Sequence, residues 1–509
     1  MTKTKADRIC AALCTLLVAT GLSLGAGTLS FGGGRSASAN ALPRLPRLPR
    51  LPSVSNPVLT GPITGGDRGQ AWSAMPAGDL SNAGYVEAEY FYAGSATAFG
   101  QVGGWTADGA WTAKPTTKAD YKVRMLLRRP AEAHRFNGIV VVEWLNVTAQ
   151  VEAAVDFMQM REELLREGYV WVGLGVQSVG INAPKTGLKA WDPARYGSLM
   201  QPGDAYSYDI FSQGAQALRH PQGLDPLGGL RVQKMLATGR SQSAFRLVTY
   251  INAVHPLAHM YDGFLVHSRG ANGAPLYDGV EGRVPPNTHT RVDVDVPVLC
   301  LQTEGDIIAL RSHLARQDQG VHYRQWEVAG CAHAETPRWV VEVPPPLDLG
   351  PGCKDPVNAA PHHAVVKAGL HALAQWVLKG VAPKQSPLIE LTDPAAPDPI
   401  ARDQYGNARG GIRLPELEAP TATMNGRANA VGASQGTGTP NFCFLFGLTV
   451  PFERATLAKL YGNHDSYVKL FSKATDAVQR EGYWLKPESD SARKAAEQSH
   501  IGESSQGAR

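Results

Sequence analysis

The chain has 509 residues, of which 43% are hydrophobic and 18% charged, and its formal net charge is +4 at pH 7. This length exceeds one typical domain, and the apolar share is sufficient for a large buried core. The small net charge and the 8% aromatic content indicate neither nucleic-acid binding nor disorder. We therefore expect a globular protein with no nucleic-acid partner, and composition leaves its oligomeric state open.

The first 39 residues have the layout of a secretory signal peptide. Three basic side chains within residues 1–8 precede an apolar stretch at 9–24, and Ala37-Ser38-Ala39 supplies a small-residue cleavage site. An uncleaved anchor is the alternative, because residues 9–29 are just long enough to span a bilayer. The Ala-x-Ala sequence favours cleavage after Ala39, so we expect a secreted or cell-envelope-associated protein.

Residues 40–78 are predicted to be a linker and a lead-in to the folded core. Leu-Pro-Arg occurs three times in succession from Leu42 onward. Proline at every third position excludes helix and sheet and favours an extended spacer. The three arginines could support a weak association with an anionic envelope surface, although we favour a solvated linker.

Apolar patterns predict the strands of a core that spans residues 79–383. Alternation at 86–92 and 121–127 is typical of half-buried strands, whereas continuous apolar runs indicate strands covered on both faces. Such runs lie at 138–142, 169–172, 232–237, 264–266, 296–301 and 323–328, with helical spacing at 153–164, 245–254 and 365–377. Two meandering strands followed by strand–helix–strand units predict an α/β fold with a mostly parallel central sheet flanked by helices.

The composition of the chain changes after residue 383. Pro-rich and Gly-rich segments precede a last helical stretch at 453–482, and the region has too few apolar runs for a core of its own. We therefore expect residues 384–488 to form a C-terminal extension that packs on the core. Residues 489–509 are expected to be a disordered tail.

A short segment near the middle of the chain has the sequence of a nucleophile elbow. Gly239-Arg240-Ser241-Gln242-Ser243 joins the predicted strand at 232–237 to the helix at 245–254. In α/β-hydrolases such a turn lifts a serine hydroxyl above the sheet, and only small side chains fit at its flanks. Ser241 is therefore the candidate nucleophile, and Ser243 stands where the second flank is usually glycine.

A serine nucleophile needs a base, and the base needs a carboxylate that orients it. In this fold the acid and then the histidine follow the serine in chain order, each at a strand end. The strand at 296–301 leads into Glu304 and Asp306, of which we favour Asp306 as the acid. The strand at 323–328 leads through a small-residue turn to His333, the candidate base.

Two backbone amides should stabilise the oxyanion that forms on nucleophilic attack. The first candidate is the amide of Gln242, which follows the nucleophile. The second is the amide of Leu145 or Asn146, in the loop after the strand at 138–142, and the sequence does not distinguish between these two.

Removal of the signal peptide leaves four cysteines. Cys300 lies in an apolar strand and is expected to be a buried free thiol. An exported protein can hold a disulfide, and connectivity among Cys331, Cys353 and Cys443 is not fixed by spacing. We favour a Cys331–Cys353 bond, because it would tether the loop that carries His333.

No metal site and no cofactor are predicted. His362, His363 and His371 lie near one helix, but no Cys or acidic residue stands at a matching spacing, so we expect surface histidines. The sequence contains no His-Glu-x-x-His, phosphate-loop or dinucleotide-binding motif.

Several motifs together resemble one bacterial family, the "alpha/beta hydrolase domain" proteins. They are Glu-Trp-Leu-Asn at 143–146, Trp-Asp-Pro-Ala-Arg-Tyr at 191–196, Gly-x-Ser-Gln-Ser at 239–243, Trp-Glu-Val-Ala-Gly-x-Ala-His at 326–333 and Gly-Asn-Ala-Arg-Gly-Gly at 406–411. The resemblance covers roughly residues 57–485 and so includes the extension. It implies an α/β-hydrolase fold and hydrolysis of carboxylic esters, and it implies little about the substrate.

The sequence thus predicts a secreted serine hydrolase of esterase type. It would use a Ser-His-Asp triad and an acyl-enzyme intermediate on a small-molecule or lipid ester. Three alternatives remain open at this point: an acyltransferase, a peptidase, and a non-catalytic binding protein on a hydrolase scaffold.

Overall fold

The computed structural model describes residues 54–73, 80–277, 284–334, 353–431 and 442–503. The predicted signal peptide and the Leu-Pro-Arg repeat lie outside these residues. Within the described ranges, no helix is both long enough and apolar enough to cross a membrane.

Among the described residues, the core contains a nine-stranded mixed sheet. Its strands are β1 (Val58–Thr60), β2 (Tyr85–Val102), β3 (Thr112–Pro130), β4 (Ile139–Trp144), β5 (Val170–Gly175), β6 (Lys234–Arg240), β7 (Gly263–His267), β8 (Val298–Thr303) and β9 (Tyr323–Val328). The spatial order is β1-β2-β3-β5-β4-β6-β7-β8-β9. The pairs from β1 to β5 in this order are antiparallel, and all later pairs are parallel.

Helices connect and flank these strands. They are α1 (Val155–Arg166), α2 (Ser178–Asn182), α3 (Leu188–Trp191), α4 (Pro193–Tyr196), α5 (Ser207–Arg219), α6 (Gln242–Thr249), α7 (His255–Ala258), α8 (Glu304–Ala309), α9 (His362–Lys379), α10 (Pro415–Glu418), α11 (Arg454–Tyr461), α12 (His464–Arg480) and α13 (Lys486–Glu497). A π-helical turn, Tyr250–Val254, joins α6 to α7. A small hairpin of β10 (Ala422–Asn425) and β11 (Leu448–Pro451) lies in the extension. The mostly parallel sheet with flanking helices confirms the predicted α/β fold class.

The predicted start of the folded core at residue 79 is too late, because part of the predicted linker and lead-in already belongs to the sheet. β1 pairs with β2, and Trp72 is only 2% exposed. The Trp72 carbonyl accepts a hydrogen bond from Arg124, which also forms an ion pair with Glu89. The alternating pattern assigns Arg124 and Glu89 to a solvent-facing side, but both are buried because the segment 54–73 and α4 both contact that side of the hairpin.

The extension contacts the core along β9. The amide of Ile412 donates to the Glu327 carbonyl at 2.7 Å, and the amide of Ile389 donates to the Glu327 carboxylate at 2.9 Å. The first bond joins two backbones, and the second adds a donor from the extension to a buried carboxylate that Arg316 of the core already pairs with at 2.5 Å. Residues 384–488 therefore share hydrogen bonds with the core rather than standing apart from it.

The prediction of a disordered tail from residue 489 is wrong as far as residue 503. α13 continues through Glu497, and its Ala496 is buried in a cluster with Tyr467 and Phe471 of α12. The tail looks polar in sequence because α13 presents only a narrow apolar stripe. That stripe is sufficient for α13 to pack against the aromatic side chains of α12.

The disulfide joins Cys353 to Cys443, so the favoured Cys331–Cys353 pair is wrong. The two bonded cysteines are 90 residues apart in sequence, and the bond connects the segment before α9 to the extension. Cys300 is a buried free thiol, as predicted.

Candidate active site

Ser241 stands at the turn between β6 and α6 in a strained backbone conformation. Its φ is 57° and its ψ is −121°, a region that residues with a Cβ rarely adopt. The Ser241 amide donates to the His267 carbonyl at 3.0 Å. The flanks are tight, since a Cβ on Gly239 would lie 3.1 Å from side-chain atoms of Ser243 and Leu247. The surrounding structure thus holds Ser241 in the geometry of a nucleophile elbow.

Three of the predicted side chains form one hydrogen-bonded series. Ser241 Oγ lies 3.1 Å from His333 Nε2, and His333 Nδ1 lies 2.5 Å from Asp306 Oδ1. An ionised carboxylate can only accept, so the Nδ1 proton of His333 points to Asp306. Nε2 is then free of a proton and accepts from the Ser241 hydroxyl.

Asp306 is fixed by the N-terminus of α8. Its Oδ2 accepts from the Thr303 amide at 2.7 Å, while its own amide donates to Thr303 Oγ1 at 3.2 Å, which is a capping box. Burial opposes ionisation of Asp306. The electrostatic interaction with His333 and the hydrogen bonds from His333 and Thr303 outweigh that effect and hold the pKa of Asp306 below its ordinary value.

Glu304, the alternative acid, does not contact His333. Its carboxylate accepts from the amides of Gly330 at 2.9 Å and Gly426 at 3.1 Å, and it pairs with Arg402 at 2.9 Å. Burial raises the pKa of Glu304 in spite of that pairing. Glu304 therefore ties the extension to the turn after β9, and Asp306 is the carboxylate that reaches the histidine.

Arg240 connects the elbow to the histidine loop, a role that the sequence analysis missed. Its side chain is 1% exposed and donates to the His333 carbonyl. The Arg240 carbonyl in turn accepts from the Asn146 side chain at 2.9 Å. A charged residue inside an otherwise buried strand, one position before the nucleophile, is the signal that could have indicated this contact.

A second buried series of polar groups lies behind the elbow. Asp156 Oδ1 is 2.6 Å from His267 Nδ1, and Asp156 Oδ2 accepts from the Thr238 hydroxyl at 2.5 Å. His267 Nε2 lies 3.3 Å from His362 Nε2. Burial lowers the pKa of both imidazoles. The expectation that His362 is a surface residue is wrong, because its ring packs against that of His267 of β7 and is fully buried.

The predicted oxyanion donors differ in whether the amide already donates a hydrogen bond within the protein. Gln242 is the first residue of α6, and an amide in the first helical turn has no partner within its helix. In contrast, the Leu145 amide donates to the Leu174 carbonyl at 3.3 Å, and the Asn146 amide donates to the Ala153 carbonyl at 3.0 Å. Neither loop amide is open in this structure, so the structure supports only the first of the predicted donors.

The sheet order, with a serine elbow after β6 and the acid and histidine after β8 and β9, defines an α/β-hydrolase. The family described as "Alpha/beta hydrolase domain" matches residues 59–494, and the chain belongs to it. This match confirms the family resemblance of the sequence motifs. It extends through the extension into α13.

Comparison with curated proteins finds no match. Similar solved structures include Est1E from Butyrivibrio proteoclasticus, at 11% identity, covering 42% of this chain and 86% of that one with a TM-score of 0.26. The serine hydrolase XC6422 from Xanthomonas campestris shares 12% identity over 46% and 83% of the two chains, with a TM-score of 0.25. Dienelactone hydrolase from Anabaena variabilis shares 12% over 40% and 79%, also with a TM-score of 0.25. Likenesses this distant do not bear on substrate.

Proposed function

We propose that this protein is a serine hydrolase that cleaves carboxylic esters with Ser241 as nucleophile, His333 as base and Asp306 as the orienting acid. The observation that carries the proposal is the continuous series from the Ser241 hydroxyl to the Asp306 carboxylate, at 3.1 Å and 2.5 Å. The strained backbone at Ser241 supports it further. Such conformations persist only where the surrounding structure enforces them, and they are concentrated at active sites.

Each residue has a defined part in the proposed reaction. Ser241 Oγ attacks the ester carbonyl while its proton passes to His333 Nε2. The same imidazole then gives that proton to the departing alkoxide, which leaves an acyl group on Ser241. Water, deprotonated by His333, attacks the acyl-enzyme and restores the serine. Asp306 keeps the imidazole in the required tautomer and stabilises its charged form.

The Gln242 amide is proposed as one oxyanion donor, because it directly follows Ser241 at the first position of α6 and so has no partner within the helix. A donor from the loop after β4 would have to give up its present carbonyl partner when substrate binds. The Leu145 bond is the longer of the two, at 3.3 Å against 3.0 Å for Asn146. The Leu145 amide would therefore be released at the smaller cost.

The direct test is hydrolysis of short p-nitrophenyl esters by the Ser241→Ala variant. We expect activity to fall to background while the circular dichroism spectrum stays unchanged. Ser466→Ala, which removes an exposed hydroxyl from α12, is the matched control and should retain full activity. Comparable activity in Ser241→Ala and the control would exclude the proposed nucleophile.

A fluorophosphonate probe separates a catalytic from a non-catalytic scaffold. The probe should label Ser241 in the wild type and fail to label Ser241→Ala. If the wild type is not labelled, a binding protein on a hydrolase scaffold becomes the better interpretation. Product analysis with added glycerol, and with peptides in place of esters, distinguishes the acyltransferase and peptidase alternatives.

We also propose that the protein is exported after cleavage behind Ala39. The Cys353–Cys443 disulfide supports this independently of the leader sequence, because disulfides persist in oxidising compartments. The test is N-terminal sequencing of the protein recovered outside the cytoplasm. A mature chain that begins at residue 40 is expected, whereas an intact N-terminus in the cytoplasmic fraction would contradict the proposal.

A further inference from the structure

A cluster of three potential metal ligands lies apart from the proposed triad. His255 begins α7, His259 follows the end of that helix, and Asp295 stands in the segment that precedes β8. One ligand atom from each of the three residues can be chosen so that all lie within 4.8 Å of one another. His255 Nε2 and Asp295 Oδ1 are 3.8 Å apart.

Within the part of the chain that the structure describes, the buried imidazole of His255 lacks a binding partner for its ring nitrogens. Its side chain is 1% exposed, yet neither ring nitrogen has a hydrogen-bond partner among the described residues. A buried polar group without a partner is unfavourable and rare in folded proteins. The separation of 3.8 Å from Asp295 is too long for a hydrogen bond, so the carboxylate does not satisfy the ring by itself.

The spacing suits atoms that share an ion. Two ligands bound at about 2.0–2.1 Å in a tetrahedral arrangement lie about 3.3 Å from each other. Closing a gap of 3.8 Å to that distance requires a movement of about half an ångström. His259 and Asp295 are both exposed, so their side chains can rotate toward His255 without disturbing the core.

We propose that His255, His259 and Asp295 bind a zinc ion, with water in the fourth position. Two imidazoles and one carboxylate form a donor set that zinc accepts in proteins. The negative charge of the carboxylate favours binding of a divalent cation. The ion would connect α7 to the segment before β8. Ser241 immediately precedes α6, and the helical run from α6 through the π-turn to α7 separates it from His255, so the ion is proposed to take no part in the chemistry at Ser241.

The test uses the mature chain, residues 40–509, after treatment with a chelator and dialysis. Titration calorimetry with zinc chloride should give one ion per chain, and the temperature of unfolding should rise with zinc concentration. Cobalt chloride should produce the visible absorption of a four-coordinate site. Absence of stoichiometric zinc binding by the folded wild type would overturn the proposal.

Two exposed ligands permit variants that leave the core intact. His259→Ala and Asp295→Asn should each weaken zinc binding by at least about 100-fold, since loss of even an outer-sphere partner weakens metal sites by 10- to 100-fold. His134→Ala, which removes an exposed histidine from another turn, should bind zinc as the wild type does. Equal affinity in all three variants would show adventitious binding and refute the site. Ester hydrolysis by His259→Ala should equal that of the wild type, so failure of this proposal is distinguishable from failure of the proposed function.

Discussion

Substitution of Asp306 by Asn is the perturbation whose outcome the structure determines most closely. The Thr303 amide donates to Oδ2 of Asp306 at 2.7 Å, so the oxygen of an asparagine amide must occupy that position. The NH2 group is then forced to face His333 Nδ1, which lies 2.5 Å from the present Oδ1. Because an NH2 group donates, Nδ1 must accept, and the ring proton moves to Nε2.

That change of tautomer removes the base. Nε2 carrying a proton cannot accept the proton of Ser241, although every heavy atom stays close to its place. The expected loss is about 10⁴-fold in kcat, which corresponds to about 5.4 kcal/mol of transition-state stabilisation at 1.36 kcal/mol for each factor of ten. KM should change little, since Asp306 is fully buried and lies behind the imidazole.

The assay is kcat for a p-nitrophenyl ester, with fold checked by circular dichroism. Glu304→Gln is the matched control, because it makes the same chemical change two residues away in α8. It places an NH2 group against N–H donors from Gly330 or Gly426, so it should lower stability but keep kcat within about tenfold. The reasoning is refuted if Asp306→Asn keeps kcat within tenfold of the wild type, or if folded Glu304→Gln loses as much as Asp306→Asn.

Three further predictions concern stability, measured by urea unfolding. Asp156→Ala leaves the buried ring of His267 and the buried hydroxyl of Thr238 without their acceptor and should cost about 1–3 kcal/mol for each unsatisfied group. Cys353→Ser opens the disulfide and should cost about 2–5 kcal/mol. The hydrogen bond to Glu163 raises the pKa of His371, so its stabilisation is complete below about pH 6.5 and is lost as pH rises through the raised pKa. His371→Gln should remove that pH dependence.

Each of these has an outcome that contradicts it. A loss below about 1 kcal/mol in Asp156→Ala would mean that the buried histidine needs no carboxylate. If Cys353→Ser is as stable as the wild type in oxidising buffer as well as in reducing buffer, the disulfide is not formed in solution. A wild type and a His371→Gln variant with parallel stability curves between pH 6 and 8 would remove the proposed linkage.

The sequence predicts most of the core because its signals are local. A buried parallel strand is a run of consecutive apolar residues, and the elbow at Ser241 is a run of small residues between a strand and a helix. Asp306 and His333 follow from the same logic, since each stands a few residues beyond a strand whose end is visible in the sequence. The order of the strands then brings the three side chains to one edge of the sheet.

The errors occur where structure depends on a distant partner. β1 is three residues long and becomes a strand only because β2 lies beside it. The buried ion pair of Glu89 and Arg124 has the sequence pattern of a solvent-exposed face, and it is buried because the segment 54–73 and α4 pack against it. Likewise, the packing of the extension brings Cys353 and Cys443 together. The spacing of the cysteines along the chain does not predict that packing.

The oxyanion amides show the same division within a single site. Gln242 is predictable as a donor because any residue that opens a helix has an unpaired amide. Whether Leu145 or Asn146 is open depends on the positions of the Leu174 and Ala153 carbonyls, which belong to other segments. A structure with a phosphonate bound to Ser241 would therefore be decisive. If a loop amide lies within hydrogen-bond distance of the phosphonyl oxygen, its present bond to a carbonyl breaks on binding. If the loop is unchanged, Gln242 is the only donor of the three.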